Sequence, residues 1–218
     1  MERKNGIYAA YVKRILDIVC SLFGMILLCW LYLAIAILVR IKLGSPVIFK
    51  AERPGRIDPK TGKERIFKLY KFRSMTNAKD ENGVLLPDTK RLTRFGRLLR
   101  STSLDELPEL FNIFKGDMSL IGPRPLAVSY LEYYTEEERH RHDVRPGLTG
   151  LAQISGRNSI SWEQKFALDL EYIRTLSFRG DVRIIFKTVG KVFKREDIGQ
   201  GESAPVSLSA ERSRAENK

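Results

Sequence analysis

Two adjacent carboxylates, Asp105 and Glu106, stand just after Arg100 in the run Ser101-Thr-Ser-Leu-Asp-Glu-Leu-Pro-Glu-Leu110. A carboxylate can attack phosphorus, and a neighbouring one can manage charge or protons. Such an attack needs the surrounding negative charge neutralised. A hard divalent cation does this when held by one carboxylate and substrate phosphates, and magnesium is the usual choice. Arginines then clamp the phosphoryl oxygens in bidentate fashion. Arg100 is one candidate clamp. Arg124 is another: in Gly122-Pro-Arg-Pro125 it has little backbone freedom, which favours preorganisation.

The same stretch has a purely structural reading. Ser103 and Glu106 are spaced as a capping box. Asp105 then sits at the positive end of the helix dipole, where a carboxylate stays ionised and phosphate is attracted. With Asp105 itself as the N-cap, Pro108 falls among the first-turn positions that need no backbone donor. Both registers stay open. Arg145-Pro-Gly147 with Thr149-Gly150 could wrap a diphosphate through backbone donors, and Arg157-Asn158 adds polar groups near a turn; plain structural turns are the alternative. Trp162, Phe166 and Tyr172 recur at helical spacing and read as core. His140 and His142 read as solvent-exposed, since no soft ligands lie nearby.

The elements that must position these groups begin with an apolar run. Ile18 to Val39 is 22 residues without a charge, about 33 Å as a helix against a bilayer core of about 30 Å. The run is too long for a cleavable signal peptide, and no A-x-A-like site follows it. Its flanks are both basic (Lys13 and Arg14 before, Arg40 and Lys42 after), so the charge rule gives no vote for opposite sides of a membrane. Lys13 and Asp17 are spaced to pair at the membrane entry. Val47–Phe49 and Ile66–Phe72 read as short strands, with turns at Arg53-Pro-Gly55 and Asp58-Pro-Lys-Thr-Gly62. Helices are expected over 88–100, 104–115, 127–142 and 161–178. Residues 181–195 alternate Val182, Ile185, Phe186 and Val189 with lysines. That pattern suits a membrane surface or a core-facing helix with a solvated basic face. The net charge of +12 calls for an anionic partner. Two cysteines, Cys20 and Cys29, both in the apolar run, provide no disulfide framework or zinc site.

Several of these motifs occur in a fixed order. Lys13-Arg14-x-x-Asp17 precedes the apolar segment. Tyr70-Lys-Phe-Arg-Ser-Met75, Arg100-Ser-Thr-Ser-Leu-Asp-Glu-Leu107, Asn112-x-x-Lys-Gly-Asp-Met-Ser119, Gly122-Pro-Arg-Pro125 and Arg145-Pro-Gly-Leu-Thr-Gly150 follow it. Over residues 10 to 195 the order resembles the bacterial sugar transferases. The likeness is to the small monotopic polyprenyl-phosphate phosphoglycosyl transferases, PglC-like, with no further N-terminal membrane domain expected. The resemblance implies transfer of a sugar-1-phosphate from a UDP-sugar to undecaprenyl phosphate, with release of UMP and magnesium as cofactor. It implies Asp105 as nucleophile and metal ligand, forming an aspartyl phosphosugar. Glu106 would assist through the metal or as a proton acceptor. Lys71, Arg100 and Arg124 would hold phosphates, and Arg145 would lie in a loop over the nucleotide. The site is expected at the cytoplasmic face of the bacterial inner membrane, among membrane lipids, with downstream glycosyltransferases as partners and a homodimer left open. The family usually breaks its membrane helix with Ser-Pro. Cys29-Trp30 stands there in this chain, and a bent, non-spanning helix is still expected.

The expected fold is therefore α+β and helix-rich. Residues 1–43 would form a basic segment and a re-entrant membrane helix with Lys13, Arg14 and Asp17 at its entry. Residues 44–198 would form a compact catalytic domain with short strands and amphipathic interfacial helices, and 199–218 a disordered polar tail. Two competing readings are a basic nucleic-acid binder and a phosphohydrolase that uses water as acceptor. The first would use Lys90, Arg91, Arg94, Arg97 and Arg100. No helix-turn-helix, RNP or zinc signature accompanies them, so no nucleic-acid partner is expected.

Overall fold

The computed structural model describes residues 6–156, 159–194 and 207–216 of the chain. A π-helical turn, Tyr8–Val12, leads into α1 (Lys13–Leu27), and α2 (Cys29–Leu43) follows after Leu28 alone. The two helical stretches are bent by 64°, and among the described residues no single helix is long and apolar enough to cross a membrane. The bend sits at Leu28, beside the expected Cys29-Trp30. No proline causes it. Ser21 Oγ bonds back to the Ile18 carbonyl two turns before it, with α1 unbroken in between. The two halves also rest on different beds: α1 lies on α5 (Glu109–Lys115), whereas α2 lies on the strand Glu64–Phe72.

That strand, β2, pairs antiparallel with β1 (Ile48–Ile57), Ile48 opposite Phe72 and Ile57 opposite Glu64. Asp58–Gly62 closes the hairpin as expected: the Asp58 carbonyl accepts from Gly62 N–H, and its carboxylate accepts from Lys60 N–H at 2.8 Å. Arg53-Pro-Gly55 is strand rather than turn. The register slips between Pro54 and Ile57, and such a bulge tolerates a residue without an N–H.

The helix expected over 88–100 is two helices, α3 (Asp88–Arg91) and α4 (Arg94–Ser101). Thr93 divides them by accepting the Gly96 N–H and capping α4. The helix expected over 104–115 is a 3₁₀ turn, Leu104–Glu106, followed by α5 with Pro108 at its N-cap. Beyond α5, β3 (Ser119–Ile121) pairs in parallel with β4 (Gly147–Thr149). Between them, the helix expected over 127–142 breaks into 3₁₀ turns, Val128–Tyr133 and His140–Asp143, around α6 (Glu136–Arg139). Then come α7 (Leu151–Ser155), α8 (Trp162–Arg174), which Ser161 and Gln164 open as a capping box, and α9 (Phe178–Lys194). The result is helix-rich α+β with short strands.

Trp162, Phe166 and Tyr172 are buried, as their spacing implied. His142 is also buried, not exposed. It packs against the Tyr134 ring, and burial together with Arg141 pushes its pKa down to about 3. Within the tail expected to be disordered, Leu208–Glu216 forms α10. Its Leu208 fills a pocket among Tyr134, Trp162 and Phe166, and Arg212 pairs with Glu138 at 2.5 Å. A single leucine finding an aromatic pocket does not register in composition.

The start of the apolar segment is tied to the remainder by polar contacts. Lys13 pairs with Asp181 at 2.7 Å rather than with Asp17, and Asp181 also accepts from Tyr8 and Tyr172. Asp17 is buried and accepts from Ser119 Oγ and Leu120 N–H. Arg14 donates to the Ile113 and Phe114 carbonyls at the C-terminal end of α5, where a cation suits the dipole.

One glycine sets how close α4 can come. A Cβ on Gly96 would lie 1.8 Å from the Ser74 carbonyl oxygen. Gly96→Ala is expected to cost about 1–3 kcal/mol through forced backbone displacement. Thermal unfolding measures this.

Candidate active site

Asp105, Glu106, Lys71, Arg100 and Arg124 line one cavity of about 810 Å³. Cationic side chains outnumber carboxylates two to one in its lining, which suits a multiply charged anion. Each member is placed by identifiable local chemistry. Lys71 lies on β2, and the buried Asn112 side chain straps that strand to α5: its amide donates to the Lys68 carbonyl and accepts from Tyr70 N–H. Arg100 ends α4, and its Nε donates to Ser74 Oγ at 2.9 Å. Arg124 follows β3. Its backbone carbonyl accepts from Arg141, which in turn is paired with the buried Asp169 at 2.7 Å.

The carboxylates leave α4 through Ser103, which is left-handed at φ 55°. That costs a non-glycine residue free energy and marks a constrained turn. Ser103 makes no side-chain cap, and Pro108 rather than Asp105 is the N-cap of α5, so neither expected cap register forms. The Glu106 side chain is used elsewhere: its Oε1 accepts from Lys71 Nζ and from Arg124, each at 2.7 Å. Lys71 also reaches Glu109 at 3.1 Å. Below this turn lies α2. The Tyr32 hydroxyl donates to the Leu107 carbonyl, and Leu104 and Leu107 pack with Ile35, Val39, Phe72 and Leu99.

The three carboxylates have different electrostatics. Burial and the neighbouring Glu106 push Asp105 up to about 6, against the pull of Lys71, Arg100 and Arg124. Burial would raise Glu106 too, but Arg124 and Lys71 outweigh it and hold that carboxyl well below the usual range. Burial pushes Glu109 up to about 7. At neutral pH Asp105 is thus an ionised but poorly stabilised carboxylate, suited to form a bond. Glu106 is a locked anion.

Among the described residues no three acidic, His or Cys side chains converge as a cation cage. A magnesium ion would rely on one carboxylate with ligand phosphates and water, the donor set it favours. Asp105 can supply that carboxylate, because Glu106 is already engaged by two cations.

Arg145 is not brought to the cavity. Its Nε donates to the Gly116 carbonyl past α5. One donor of its loop is taken, since Gly147 N–H bonds to the Pro123 carbonyl, while the Pro146 and Thr149 carbonyls accept from Ser119 and Gly122 N–H. Parallel pairing, invisible in a Pro-Gly-rich motif, ties this loop to β3 and the Gly122-Pro123 turn. Arg157 and Asn158 lie outside the described residues. Sequence reasoning missed Glu109, Ser74, Gln153 and the Arg141–Asp169 pair. Ser74 and Glu109 carried a signal, as parts of the Tyr70–Met75 and Ser101–Leu110 runs.

A family model described as bacterial sugar transferase matches residues 8–195. The chain is 50% identical over 189 residues to the uncharacterized sugar transferase EpsL of Bacillus subtilis, covering 87% of this chain and 91% of that protein. It is 42% identical over 199 residues to a UDP-glucose:undecaprenyl-phosphate glucose-1-phosphate transferase of Klebsiella pneumoniae, covering 87% of this chain and 41% of that protein. It is 37% identical over 203 residues to an undecaprenyl-phosphate galactose phosphotransferase of Salmonella typhimurium, covering 85% of this chain and 41% of that one. This chain thus spans nearly all of the first relative and about two-fifths of the other two.

The raised Asp105 makes a stability prediction with a definite sign. The folded state binds its proton more tightly than the unfolded chain, so stability declines as pH rises from about 4 through about 6. Asp105→Asn removes that penalty. In chelator at pH 8 the variant should melt at or above the wild type, with the gap closing at pH 4.

Proposed function

The chain belongs to the bacterial sugar transferase family, and on that premise we propose that it moves a sugar-1-phosphate from a UDP-sugar to undecaprenyl phosphate at the cytoplasmic face of the inner membrane. The observation that carries this reading is the cavity in which Asp105, carrying a raised pKa, meets Lys71, Arg100 and Arg124.

Asp105 attacks the phosphorus that bears the sugar. A carboxylate oxygen–phosphorus bond forms, and the bridging oxygen–phosphorus bond breaks. UMP leaves with the bridging oxygen and the electron pair. In the second half, a phosphate oxygen of the lipid attacks the same phosphorus and expels the Asp105 carboxylate, giving the lipid-diphosphate sugar. Lys71 and Arg124 face the diphosphate while gripping Glu106. The Arg124 side chain keeps 42% of its surface exposed, enough to meet a second anion. Glu106 acts here by orienting those cations, since accepting a proton would break both of its ion pairs. Bound magnesium, with Asp105 among its ligands, would supply charge neutralisation at the phosphates.

A bilayer site is supported by the exposed apolar faces. Phe23, Ile26, Trp30 and Leu33 of the bent helices, Phe111 of α5 and Phe186 of α9 are all exposed. On α9 only one side is buried: Ile184 faces the core while Ile185, Phe186 and Val189 face outward. An interfacial helix has this pattern, with lysines alongside to meet anionic lipid. The bent pair would enter one leaflet and return. An engineered N-terminal thiol should then resist impermeant reagents applied to intact cells. Labelling from outside would overturn that topology.

The reaction is tested by screening UMP release across UDP-sugars with a short polyprenyl phosphate and magnesium. Lipid-linked sugar diphosphate should accumulate; free sugar phosphate would instead identify a hydrolase. Asp105→Ala should fall below about one-thousandth of wild-type turnover. Peptide mass spectrometry of enzyme quenched with donor alone should find the phosphosugar on Asp105, and an adduct on another residue would sink the covalent assignment.

A further inference from the structure

Part of the cavity wall is apolar and open. On β1 the lining takes Phe49, Ala51 and Arg53 but neither Lys50 nor Glu52, the alternation of a strand with one face turned to the cavity. Phe49 stands directly opposite Lys71 in the hairpin register. Residues so paired share a face, with their Cβ atoms about 5 Å apart. Phe49 is nonetheless 51% exposed. Leu85, also in the lining, is 48% exposed. A built turn presents it: Lys79 and Leu85 form a β-bridge, and the Asp80 carboxylate accepts from Asn82 and Val84 N–H. The half-buried Met75 adds a third apolar side chain. Single exposed apolar residues are ordinary on a protein surface, but three on the wall of one cation-lined cavity call for a ligand.

The bent apolar segment restricts what that ligand is. Arg73, two residues past Lys71, donates from its side chain to the Leu43 and Ser45 carbonyls and from its backbone to the Val47 carbonyl. The C-terminal end of α2 is thereby fixed to the Phe49–Lys71 end of the hairpin, away from the Asp58–Gly62 turn. Near that end of α2, Ile37, Leu38 and Ile41 are exposed, and so are Arg40 and Lys42. On the bilayer reading this is the passage from acyl chains to headgroups. Phe49 therefore continues the exposed apolar surface of α2 toward Lys71. A ligand lying along it has an anionic head for the ammonium and an apolar stem for the ring. A nucleotide sugar is polar except on the faces of its base. A polyprenyl phosphate joins both parts through one ester bond.

We propose that Phe49, Met75 and Leu85 hold the first isoprene units of the acceptor lipid while its phosphate rests on Lys71. The inference rests on the acceptor being a polyprenyl phosphate, as argued above. It makes these side chains a lipid subsite for the second half of the reaction, with no part in forming the phosphosugar on Asp105.

The test follows lipid-linked sugar diphosphate made by the full-length protein in detergent micelles, with UDP-sugar and polyprenyl phosphate varied separately. Phe49→Ala should lower kcat/KM for the polyprenyl phosphate about tenfold and Leu85→Ser about threefold, while kcat/KM for the UDP-sugar stays within about twofold in both. Phe49→Leu, which keeps an apolar side chain, should stay within about threefold of the wild type on either substrate. A polyprenyl phosphate carrying a diazirine on its first isoprene unit should crosslink the wild type at peptides containing Phe49, Met75 or Leu85, a readout that needs no variant to fold. If kcat/KM for the lipid is unmoved in both loss variants, or the crosslinks fall elsewhere, the proposal fails. If Phe49→Ala instead lowers kcat/KM for the UDP-sugar alone, the ring serves the nucleotide base and the proposal also fails. A wild type that makes no lipid-linked sugar diphosphate from any UDP-sugar would bring down the reaction itself.

Discussion

Lys71 holds the site together. Its ammonium lies 2.7 Å from the half-buried Glu106 and 3.1 Å from the buried Glu109, with the buried Asp105 next to Glu106 in the same short stretch. Three carboxylates so close would repel one another, and their desolvation would be severe without cations in contact. Arg124 supports Glu106 from the opposite side. Asp105 receives only the weaker, unshared remainder of this positive charge. Burial and the Glu106 charge therefore hold Asp105 up at about 6, while Arg124 and Lys71 hold Glu106 well below the usual range. Two adjacent side chains of nearly the same chemistry thereby acquire different tasks from environment alone. The hairpin, the Asn112 strap and the Gly122–Pro125 loop all serve to bring those two cations to one carboxylate.

The bent apolar segment is part of this foundation rather than a tether. Its second half supplies Ile35 and Val39 to the core beneath the catalytic turn, and Tyr32 holds the carbonyl two residues past Asp105. Its first half reaches β3 through Asp17 and α5 through Arg14. On the proposed reading, the depth of the segment in the bilayer fixes the height of the nucleophile above it. A lipid phosphate confined to the headgroup layer then meets a carboxylate held at one level, with little conformational search.

The residues that sequence located best were those whose role needs only type and spacing. Lys71, Arg100, Asp105, Glu106 and Arg124 converge in one cavity, and the apolar run bends where the family's break would fall. What failed was anything decided by a distant partner. Ser103 and Glu106 have the spacing of a cap, yet Lys71, from another element, takes the glutamate. The Arg145 loop looks like an anion nest, yet its Gly147 N–H goes to Pro123, a residue beyond β3. His142 sits in a charged run, yet the chain turns it inward against Tyr134. Local pattern cannot foresee competition from a segment far along the chain, and buried polar groups are where that competition is settled.

The charge of the cavity also bears on the order of events. On the proposed reading, a nucleoside diphosphate and a phosphomonoester, both with multiple negative charges, must reach the phosphorus beside Asp105. Bound together in one cradle they would repel strongly in a low-dielectric space. The cations that relieve one, Lys71 and Arg124, are already partly spent on Glu106 and Glu109. The covalent intermediate proposed above would remove the conflict. With the phosphosugar on Asp105, UMP would depart with its charge, and Lys71 and Arg124 would be available to the lipid phosphate. The attachment also cancels the charge of Asp105, the carboxylate least stabilised in its ionised form. The electrostatics that make Asp105 costly to keep ionised therefore favour the step that uses it, and they favour a double displacement over direct transfer.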